Sequence, residues 1–290
     1  MTRVDAPIVV GVLALQGAFA EHVQLLHNAA RSLTSKGDAG PGWRFVEVRT
    51  PEQLSHCDAL IIPGGESTTM SLVAARSNLL EPLREFVKVL RQPVWGTCAG
   101  LILLAESANR TKHGGQELIG GLDVRVNRNH FGRQVESFEA NLTLPFLSSA
   151  PQSDPSTDQA PFKGVFIRAP VVEKILPAME GVQREEEQKE ATVVAPSKVA
   201  KEALEKEAVL GEVQVLATLP GRAAALLNKV ASSHTEENAG DIIAVRQGNV
   251  FGTSFHPELT GDSRIHVWWL EQVQKAVMMR RKAVTSGLCS

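Results

Sequence analysis

Short apolar runs alternate with longer amphipathic segments along most of the chain, a pattern typical of a sheet whose strands are joined by helices. The runs predict buried strands at 8–14, 43–48, 59–62, 93–95, 213–219, 241–246 and 250–255. The amphipathic segments predict helices at 17–35, from 67 to about 90, from 101 onward and at 264–282. In the first helix, an apolar face formed by Phe19, Val23, Leu26 and Ala30 is expected to contact the core.

Beyond residue 115 the predicted strands follow one another without helices between them, at 123–126, 136–144 and 164–167. This change indicates an antiparallel extension of a mostly parallel sheet. Residues 148–160 are rich in Ser, Pro, Asp and Gln and predict a flexible loop. Residues 183–207 are dense in Glu and Lys and predict a second flexible insertion without a catalytic role, whose part 198–208 is compatible with a solvated helix. We expect residues 1–290 to form a single domain.

Composition narrows the classes of protein that fit this pattern. The chain has 290 residues, 43% of them hydrophobic, and a net charge of −2 that argues against a nucleic-acid partner. The apolar run at 8–15 is too short for a membrane helix, and the flanking Asp5 and Gln16 favour a buried strand over a secretory leader. Three widely spaced cysteines fit a reducing compartment, so we expect a cytoplasmic protein that binds no membrane.

The strongest candidate for chemistry is Gly96-Thr97-Cys98-Ala99-Gly100, a G-x-C-x-G sequence between a short strand and a helix. It resembles a nucleophile elbow with cysteine in place of serine. The glycines permit a tight turn, and the turn leaves Cys98 at the positive end of the following helix, where a thiolate is favoured. The pentapeptide alone is equally compatible with a buried cysteine beside two packing glycines.

A second candidate follows the apolar strand at 250–255. There His256 can take a proton from Cys98, and Glu258 can bind the other imidazole nitrogen and stabilise the imidazolium. A histidine at a strand end is often only structural. The other seven histidines of the eight, however, do not combine a strand end with a carboxylate two residues on.

A third candidate is the loop Pro63-Gly64-Gly65-Glu66-Ser67, between a strand and a helix. The backbone N–H of Gly65, together with that of Ala99, could form an oxyanion hole. The alternative is a glycine-rich turn before a helix capped by Ser67 or Thr68. A nucleotide-phosphate site is disfavoured, since the chain has neither a P-loop lysine nor G-x-G-x-x-G.

The elbow combined with H-P-E resembles the triad (class I) glutamine amidotransferases. A closer resemblance, to the PdxT/SNO family of glutaminase subunits of pyridoxal 5'-phosphate synthase, rests on five segments. These are V-G-V-L-A-L-Q-G at 10–17, P-G-G-E-S-T-T-M at 63–70, R-N-H-F-G-R-Q at 128–134, F-I-R-A-P at 166–170 and S-F-H-P-E-L-T at 254–260. The L-Q-G, G-G-E-S-T-T and F-G-R-Q signatures are generally lacking in amidotransferases of other pathways.

The resemblance implies a three-layer, flavodoxin-like α/β fold and hydrolysis of L-glutamine to glutamate and ammonia, which passes to a separate synthase (lyase) subunit. It implies a catalytic triad of Cys98, His256 and Glu258 and no metal or organic cofactor. Residues expected to line the glutamine pocket are Gly65, Glu66, Ser67, Arg128, Ile167 and Arg168. Either arginine could instead form a structural ion pair. Gln16 matches a position near the synthase contact, and its alternative is a plain surface residue.

The chain is longer than typical family members, and the additions near 36–42, 148–160 and 183–207 suggest a fungal member. Low activity of the isolated subunit is also implied, because the synthase is expected to order the oxyanion loop. Two other functions stay open at this point: an amidotransferase subunit serving another pathway, and a non-catalytic regulatory partner with the same fold.

Overall fold

The computed structural model describes residues 6–35, 40–110, 116–128, 137–147, 160–179, 181–197, 211–219 and 240–285. The strands in these residues are β1 (Ile8–Leu13), β2 (Trp43–Val48), β3 (Ala59–Ile62), β4 (Val94–Thr97), β5 (Ala105–Asn109), β6 (Leu122–Asn127), β7 (Ser137–Leu142), β8 (Phe162–Ile167), β9 (Val171–Ile175), β10 (Thr192–Val194), β11 (Gln214–Leu219), β12 (Asp241–Gln247) and β13 (Val250–Thr253). The α-helices are α1 (Phe19–Ser35), α2 (Pro51–Ser55), α3 (Ser67–Arg76), α4 (Leu80–Arg84), α5 (Ala99–Leu104), α6 (Arg184–Glu187) and α7 (Arg264–Thr285).

The main sheet has the strand order β10-β5-β6-β9-β12-β13-β4-β3-β1-β2, with β11 paired to β12 beside this path. The half that runs from β13 to β2 is parallel throughout. In the other half, β9, β10, β11 and β12 make antiparallel pairs. Strands β7 and β8 form a separate antiparallel ribbon. The predicted mostly parallel sheet with an antiparallel extension is confirmed.

Helices cover both faces of the parallel half, which explains why its inner strands β1 and β3 are continuous apolar runs. From β1, Ile8, Val10 and Val12 pack in one core with α1 and α7. Val9 and Leu13 point to the opposite face and pack in a second core with α3, α4 and α5. The result is the predicted three-layer α/β arrangement.

Helix α1 packs the predicted face against the core, but the centre of its buried stripe lies to one side of that face. Its buried residues are His22, Leu25, Leu26, Ala29 and Leu33. Phe19, Val23 and Ala30 are only partly buried and lie at the margin of this stripe. All four predicted residues therefore contact the core, but the prediction followed apolar residues alone and did not include His22, the first residue of the buried stripe. This places a polar ring inside the core.

The single helix predicted from 67 to about 90 is wrong. Asn78 has a φ of +57°, a left-handed conformation that ends α3, and α4 starts at Leu80. A π-helical turn, Glu85–Val89, follows α4 directly. The N-cap is also one residue earlier than predicted, because the Glu66 carboxylate accepts hydrogen bonds from the N–H groups of Thr68 and Thr69.

The expectation of a flexible insertion over 183–207 needs correction for residues 183–197, which pack into the fold. Strand β10 pairs with β5 at the edge of the main sheet. The side chain of Glu186 is 2% exposed and lies 2.7 Å from Arg125 Nη1 and 2.6 Å from Lys189 Nζ. The run of charges gave no sign of this strand and helix, because the buried carboxylate is neutralised by Arg125, which is distant in sequence, as well as by Lys189, three residues on. Residues 198–207, like 148–159, lie outside the described residues.

We expect Glu186→Ala to lower the free energy of unfolding by about 3 kcal/mol, because it leaves the partly buried Arg125 without this partner. Glu185→Ala is the matched control on the same helical turn, where the side chain is exposed. Its expected cost is below about 0.5 kcal/mol. Urea denaturation of both variants measures the difference, and equal costs would contradict the integration of this segment.

Three neighbouring parallel strands bring the candidate segments to one edge of the sheet. Strand β4 lies between β3 and β13, with Gly96 opposite Ile62 and Thr97 opposite Thr253. The segments that follow these strands therefore emerge side by side at their carboxyl ends, where sites form in open α/β sheets. Among the described residues, no helix is both long and apolar enough to cross a membrane.

Candidate active site

Cys98 lies in a strained turn between β4 and α5. Its φ of +48° and ψ of −102° are unusual for a residue with a side chain. A Cβ on Gly96 would lie 2.5 Å from the Gly100 backbone, and a Cβ on Gly100 would lie 2.0 Å from the Ile62 carbonyl oxygen. Both glycines are therefore required by the close approach of backbone segments, as in a nucleophile elbow. The Cys98 side chain is 6% exposed.

His256 and Glu258 are joined on the neighbouring segment. Nδ1 of His256 lies 2.7 Å from Oε1 of Glu258, whose side chain is fully buried. The backbone N–H of His256 donates to the carbonyl oxygen of Val165 in β8, which fixes the chain at this point. On its other side the His256 ring lies close enough to the Cys98 thiol for that group to contribute to the raised pKa of the imidazole. The structure thus brings together the three residues of the predicted triad in the order thiol, imidazole, carboxylate.

Electrostatics in this cluster favour the imidazolium form of His256 beside the Glu258 carboxylate. Burial opposes the charge on His256, but hydrogen bonds and attraction to Cys98 and Glu258 outweigh it and raise the pKa of His256 to about 10. Burial also opposes the charge on Glu258, and the nearby His22 and His256 outweigh it, so the pKa of Glu258 is lowered far below its usual range. Glu258 is therefore a carboxylate throughout the physiological range.

Glu258→Gln should lower the pKa of His256 by a unit or more, because it removes the anion that stabilises the imidazolium. The measurement is an NMR titration of the His256 ring in the wild-type protein and the variant. The exposed His27, which lies on α1, serves as an internal control whose titration should not change. An identical His256 midpoint in both proteins would contradict the assigned role of the carboxylate.

The glycine-rich loop packs directly on the imidazole. A Cβ on Gly64 would lie 2.2 Å from Cε1 of His256, so only glycine fits there. The next residue, Gly65, is exposed. Oε1 of Gln16 accepts a hydrogen bond of 3.0 Å from the N–H of Glu66. Gln16, predicted at a partner contact, is thus half-buried and ties the loop after β1 to the loop after β3.

The remaining predicted pocket residues divide into two groups. Ile167 is the last residue of β8 and Arg168 follows it, beside the thiol. The Ile167 carbonyl oxygen lies 3.9 Å from Cys98 Sγ, and the exposed Arg168 has a φ of +43°. Arg128 is 6% exposed, and burial, partly offset by the charge of Glu66, lowers the pKa of its guanidinium to about 10. Residues 129–134 of the R-N-H-F-G-R-Q segment lie outside the described residues.

Two predicted pocket side chains have structural partners of their own. The Glu66 carboxylate caps α3 and also accepts a 2.7 Å hydrogen bond from the Thr69 hydroxyl. The Ser67 hydroxyl, 6% exposed, donates to Oε1 of Gln116 at 3.0 Å. These bonds account for the sequence G-G-E-S-T-T as a helix start. From the sequence, Glu66 and Ser67 were predicted to line the pocket, and Ser67 or Thr68 was predicted to cap the helix.

Sequence reasoning missed the polar groups behind the triad. His22 of α1 lies 3.3 Å from Oε2 of Glu258, and His266 of α7 lies 3.0 Å from His22. A usable signal existed, since a histidine on the buried stripe of an amphipathic helix needs a polar partner. Within the described residues, no group of three or more His, Cys, Asp or Glu is arranged to hold a metal ion.

An α/β sheet that carries a cysteine elbow, a histidine and a carboxylate at the ends of adjacent strands defines the class of thiol-dependent amidotransferases. Comparison with known proteins agrees. Residues 12–207 and 215–275 match the SNO glutamine amidotransferase family. A solved structure described as "Crystal structure of glutamine amidotransferase" has a TM-score of 0.56 and 33% identity, covering 91% of this chain and 98% of that one.

Named relatives are similar along nearly their whole length. The "Probable pyridoxal 5'-phosphate synthase subunit PDX2" of Arabidopsis thaliana is 41% identical over 266 residues, covering 92% of this chain and 86% of the relative. "Pyridoxal 5'-phosphate synthase subunit PdxT" of Herpetosiphon aurantiacus is 38% identical over 261 residues, covering 90% of this chain and 98% of the relative. The chain belongs to the SNO glutamine amidotransferase family.

Proposed function

We propose that this protein is the glutaminase subunit of a pyridoxal 5'-phosphate synthase. It hydrolyses L-glutamine to L-glutamate and ammonia and supplies the ammonia to a separate synthase subunit for vitamin B6 biosynthesis. The observation that carries the proposal is the linked set of Cys98, His256 and Glu258 in a chain of the SNO family. The printed names of the relatives support the pathway.

In the first half of the reaction, the Cys98 thiolate attacks the side-chain amide carbon of glutamine. A C–S bond forms, and the carbonyl π electrons move to oxygen. The N–H groups of Gly65 and Ala99 are the proposed donors to this oxyanion, each contributing about 10²–10³ in rate. When the oxyanion collapses, the C–N bond breaks and the His256 imidazolium protonates the departing nitrogen, which leaves as ammonia.

In the second half, neutral His256 removes a proton from water, and the resulting hydroxide attacks the thioester carbon. The C–S bond breaks, glutamate leaves, and Cys98 returns to the thiolate while His256 keeps the proton. Glu258 fixes the tautomer of His256 in both halves and stabilises its charge. The buried position of Cys98 and Glu258 strengthens these interactions by excluding water.

Substrate recognition is assigned to groups around the thiol. Arg128 and Arg168 are the proposed partners of the glutamine α-carboxylate, since guanidinium binds carboxylate with two parallel hydrogen bonds. The Ile167 carbonyl, which lies next to Cys98 Sγ, can accept from an N–H of the substrate. Glu66 and Ser67 contribute through the backbone of the loop, because their side chains cap α3 and bind Gln116.

Gln16 is proposed to report contact with the synthase subunit to the oxyanion loop. Its side chain bonds the N–H of Glu66, next to Gly65, while its own loop is partly exposed. A partner that displaces Gln16 would therefore change the loop that carries the Gly65 donor. We place the reaction in the cytoplasm, where Cys98 and Cys57, both free thiols, remain reduced.

A labelling experiment tests this function. The full chain, mixed with its cognate synthase subunit, is treated with an electrophilic glutamine analogue and digested for mass spectrometry. We expect one adduct, on Cys98, and parallel loss of glutamate formation, with protection by excess L-glutamine. Retained glutaminase activity after complete labelling of Cys98, or no glutamate formation by the untreated complex, would overturn the proposal.

A further inference from the structure

Behind the triad carboxylate lie two histidines that the reaction as described does not use. His22 of α1 and His266 of α7 are both 0% exposed, so each imidazole is fully surrounded by protein. Their Nδ1 and Nε2 atoms, respectively, are 3.0 Å apart. The Trp95 ring packs against both, with centroid distances of 5.7 Å to His22 and 4.9 Å to His266. Two buried imidazoles cost free energy unless their polar atoms are used.

His22 contacts both segments of the candidate site. Its Nε2 lies 3.3 Å from Oε2 of Glu258 and 3.3 Å from the hydroxyl of Thr97, the residue before Cys98. Oε1 of Glu258 is bound by His256. The two oxygens of the carboxylate therefore face different imidazoles, one that takes part in the chemistry and one that is fixed in the core.

The hydrogen-bond pattern defines where the protons lie. His266 Nδ1 has no hydrogen-bond partner among the described residues. An unpaired buried ring nitrogen costs less free energy as a lone pair than as an N–H when the proton can sit on the other ring nitrogen. Burial and the adjacent His22 lower the pKa of His266 well below its usual value, so it is neutral. The single proton of His266 is then on Nε2 and is donated to Nδ1 of His22.

Nε2 of His22 carries an N–H, because it lies 3.3 Å from the carboxylate oxygen of Glu258. Nε2 hydrogen bonds with the Thr97 hydroxyl at 3.3 Å. Its 3.3 Å contact with Glu258 Oε2 is electrostatic, since that oxygen has no hydrogen-bond partner among the described residues. The other tautomer would place a lone pair against the carboxylate. The groups that face His22 from every packed element are therefore Thr97 from β4, Glu258 after β13 and His266 from α7, with Trp95 contributing only its ring.

The geometry points to His22 as a positioning residue for the triad: its Nε2 hydrogen bonds with the Thr97 hydroxyl and lies 3.3 Å from Glu258 Oε2, and this contact holds the carboxylate on His256. The inference rests on the proposed glutaminase function and adds a residue to it. His22 does not touch the thiol or the substrate. It acts through Glu258 and through Thr97, which precedes the nucleophile.

The test compares His22→Leu, His22→Gln and His266→Leu in the full chain. Leucine removes the donor at position 22, and glutamine keeps an N–H near the position of Nε2. His266→Leu is the matched control, because it removes an equally buried imidazole from the same cluster without direct contact to Glu258. Thermal unfolding measures the stability lost by each variant.

Two readouts separate positioning from packing. Glutamate formation is measured with the cognate synthase subunit present, to give kcat and KM. The pH dependence of Cys98 alkylation by iodoacetamide, followed on the Cys98 peptide, reports thiolate formation without glutamine turnover. Loss of the donor lets the carboxylate move from His256, which weakens the imidazolium and raises the pH midpoint of alkylation.

We expect His22→Leu to lower kcat about 10- to 100-fold with KM unchanged, as when a residue that orients a metal ligand is removed. The same variant should raise the pH midpoint of Cys98 alkylation. His22→Gln should recover most of kcat, and His266→Leu should keep the wild-type midpoint. An unchanged midpoint in His22→Leu, or equal effects of the leucine variants at positions 22 and 266, would overturn the inference. Absence of glutamate with the wild type overturns the proposed function instead, and the alkylation comparison still tests His22.

Discussion

Replacing Cys98 with alanine lowers glutamate formation by about 10⁴-fold or more, while the protein stays folded. The expected loss is that of a covalent nucleophile whose thioester has no substitute, so the residual rate is set only by binding and the oxyanion donors. The side chain is small and its removal should change the free energy of unfolding by about 1 kcal/mol. Glutamate released in the presence of the synthase subunit is measured, together with urea denaturation.

Cys57→Ala is the matched control for this variant. Cys57 is also buried and free, but burial and the adjacent Asp58 raise the pKa of its thiol to about 12, so it is not a thiolate at neutral pH. Its Sγ contacts the Gln53 carbonyl oxygen at 3.3 Å. We expect normal turnover from Cys57→Ala. Turnover in Cys98→Ala equal to that of this control would refute covalent catalysis by Cys98.

Gly64→Ala is expected to lower kcat about 1,000-fold, close to the effect of losing the general acid–base itself. The added Cβ would lie 2.2 Å from Cε1 and 2.8 Å from Nδ1 of His256, too close for the ring to stay in place. Since Nδ1 bonds Glu258, displacement of the ring breaks the imidazole–carboxylate contact as well as the alignment with Cys98.

The control for Gly64→Ala is Gly42→Ala, where a Cβ meets only the Pro7 Cβ, at 3.9 Å. This variant should keep wild-type kcat. A structure of Gly64→Ala should show the His256 ring moved away from the loop. Full activity with an unmoved ring would contradict the close packing of Gly64 on His256.

The chemistry-bearing residues could be predicted because their signals are local. Cys98 follows a short strand inside a G-x-C-x-G turn, and His256 and Glu258 follow another strand within three residues of each other. Parallel strands end at one edge of the sheet, so residues at neighbouring strand ends meet. The two segments lie together because β4 pairs with β13. That pairing depends on the fold of the whole sheet and not on local sequence.

The polar groups behind the triad could not be predicted from the local sequence pattern. His22 and His266 lie on helices far apart in sequence, and their contact depends on the packing of α1 against α7. The buried charge of Glu186 was missed for the same reason, because its partner Arg125 comes from β6, about sixty residues earlier in the chain. An apolar-residue criterion assigns such positions to the surface. This criterion therefore fails for buried polar groups whose partners are distant in sequence.

Helix boundaries failed for a different physical reason. The segment from 67 to 90 has enough apolar residues for one long helix, but the left-handed Asn78 ends α3, and Leu80 starts a new helix with a proline in its first turn. The cap also depended on side-chain reach: Glu66 binds two N–H groups at once, which Ser67 and Thr68 cannot do from within the first turn.

The transfer of nitrogen from glutamine tests the proposed function most directly. The full chain and its cognate synthase subunit are supplied with L-glutamine carrying ¹⁵N in the side-chain amide, a pentose phosphate and a triose phosphate. We expect one glutamate for each pyridoxal 5'-phosphate and ¹⁵N in the pyridine ring, both lost with Cys98→Ala. Unlabelled product, or labelled product from Cys98→Ala at the wild-type rate, would contradict the triad and its role.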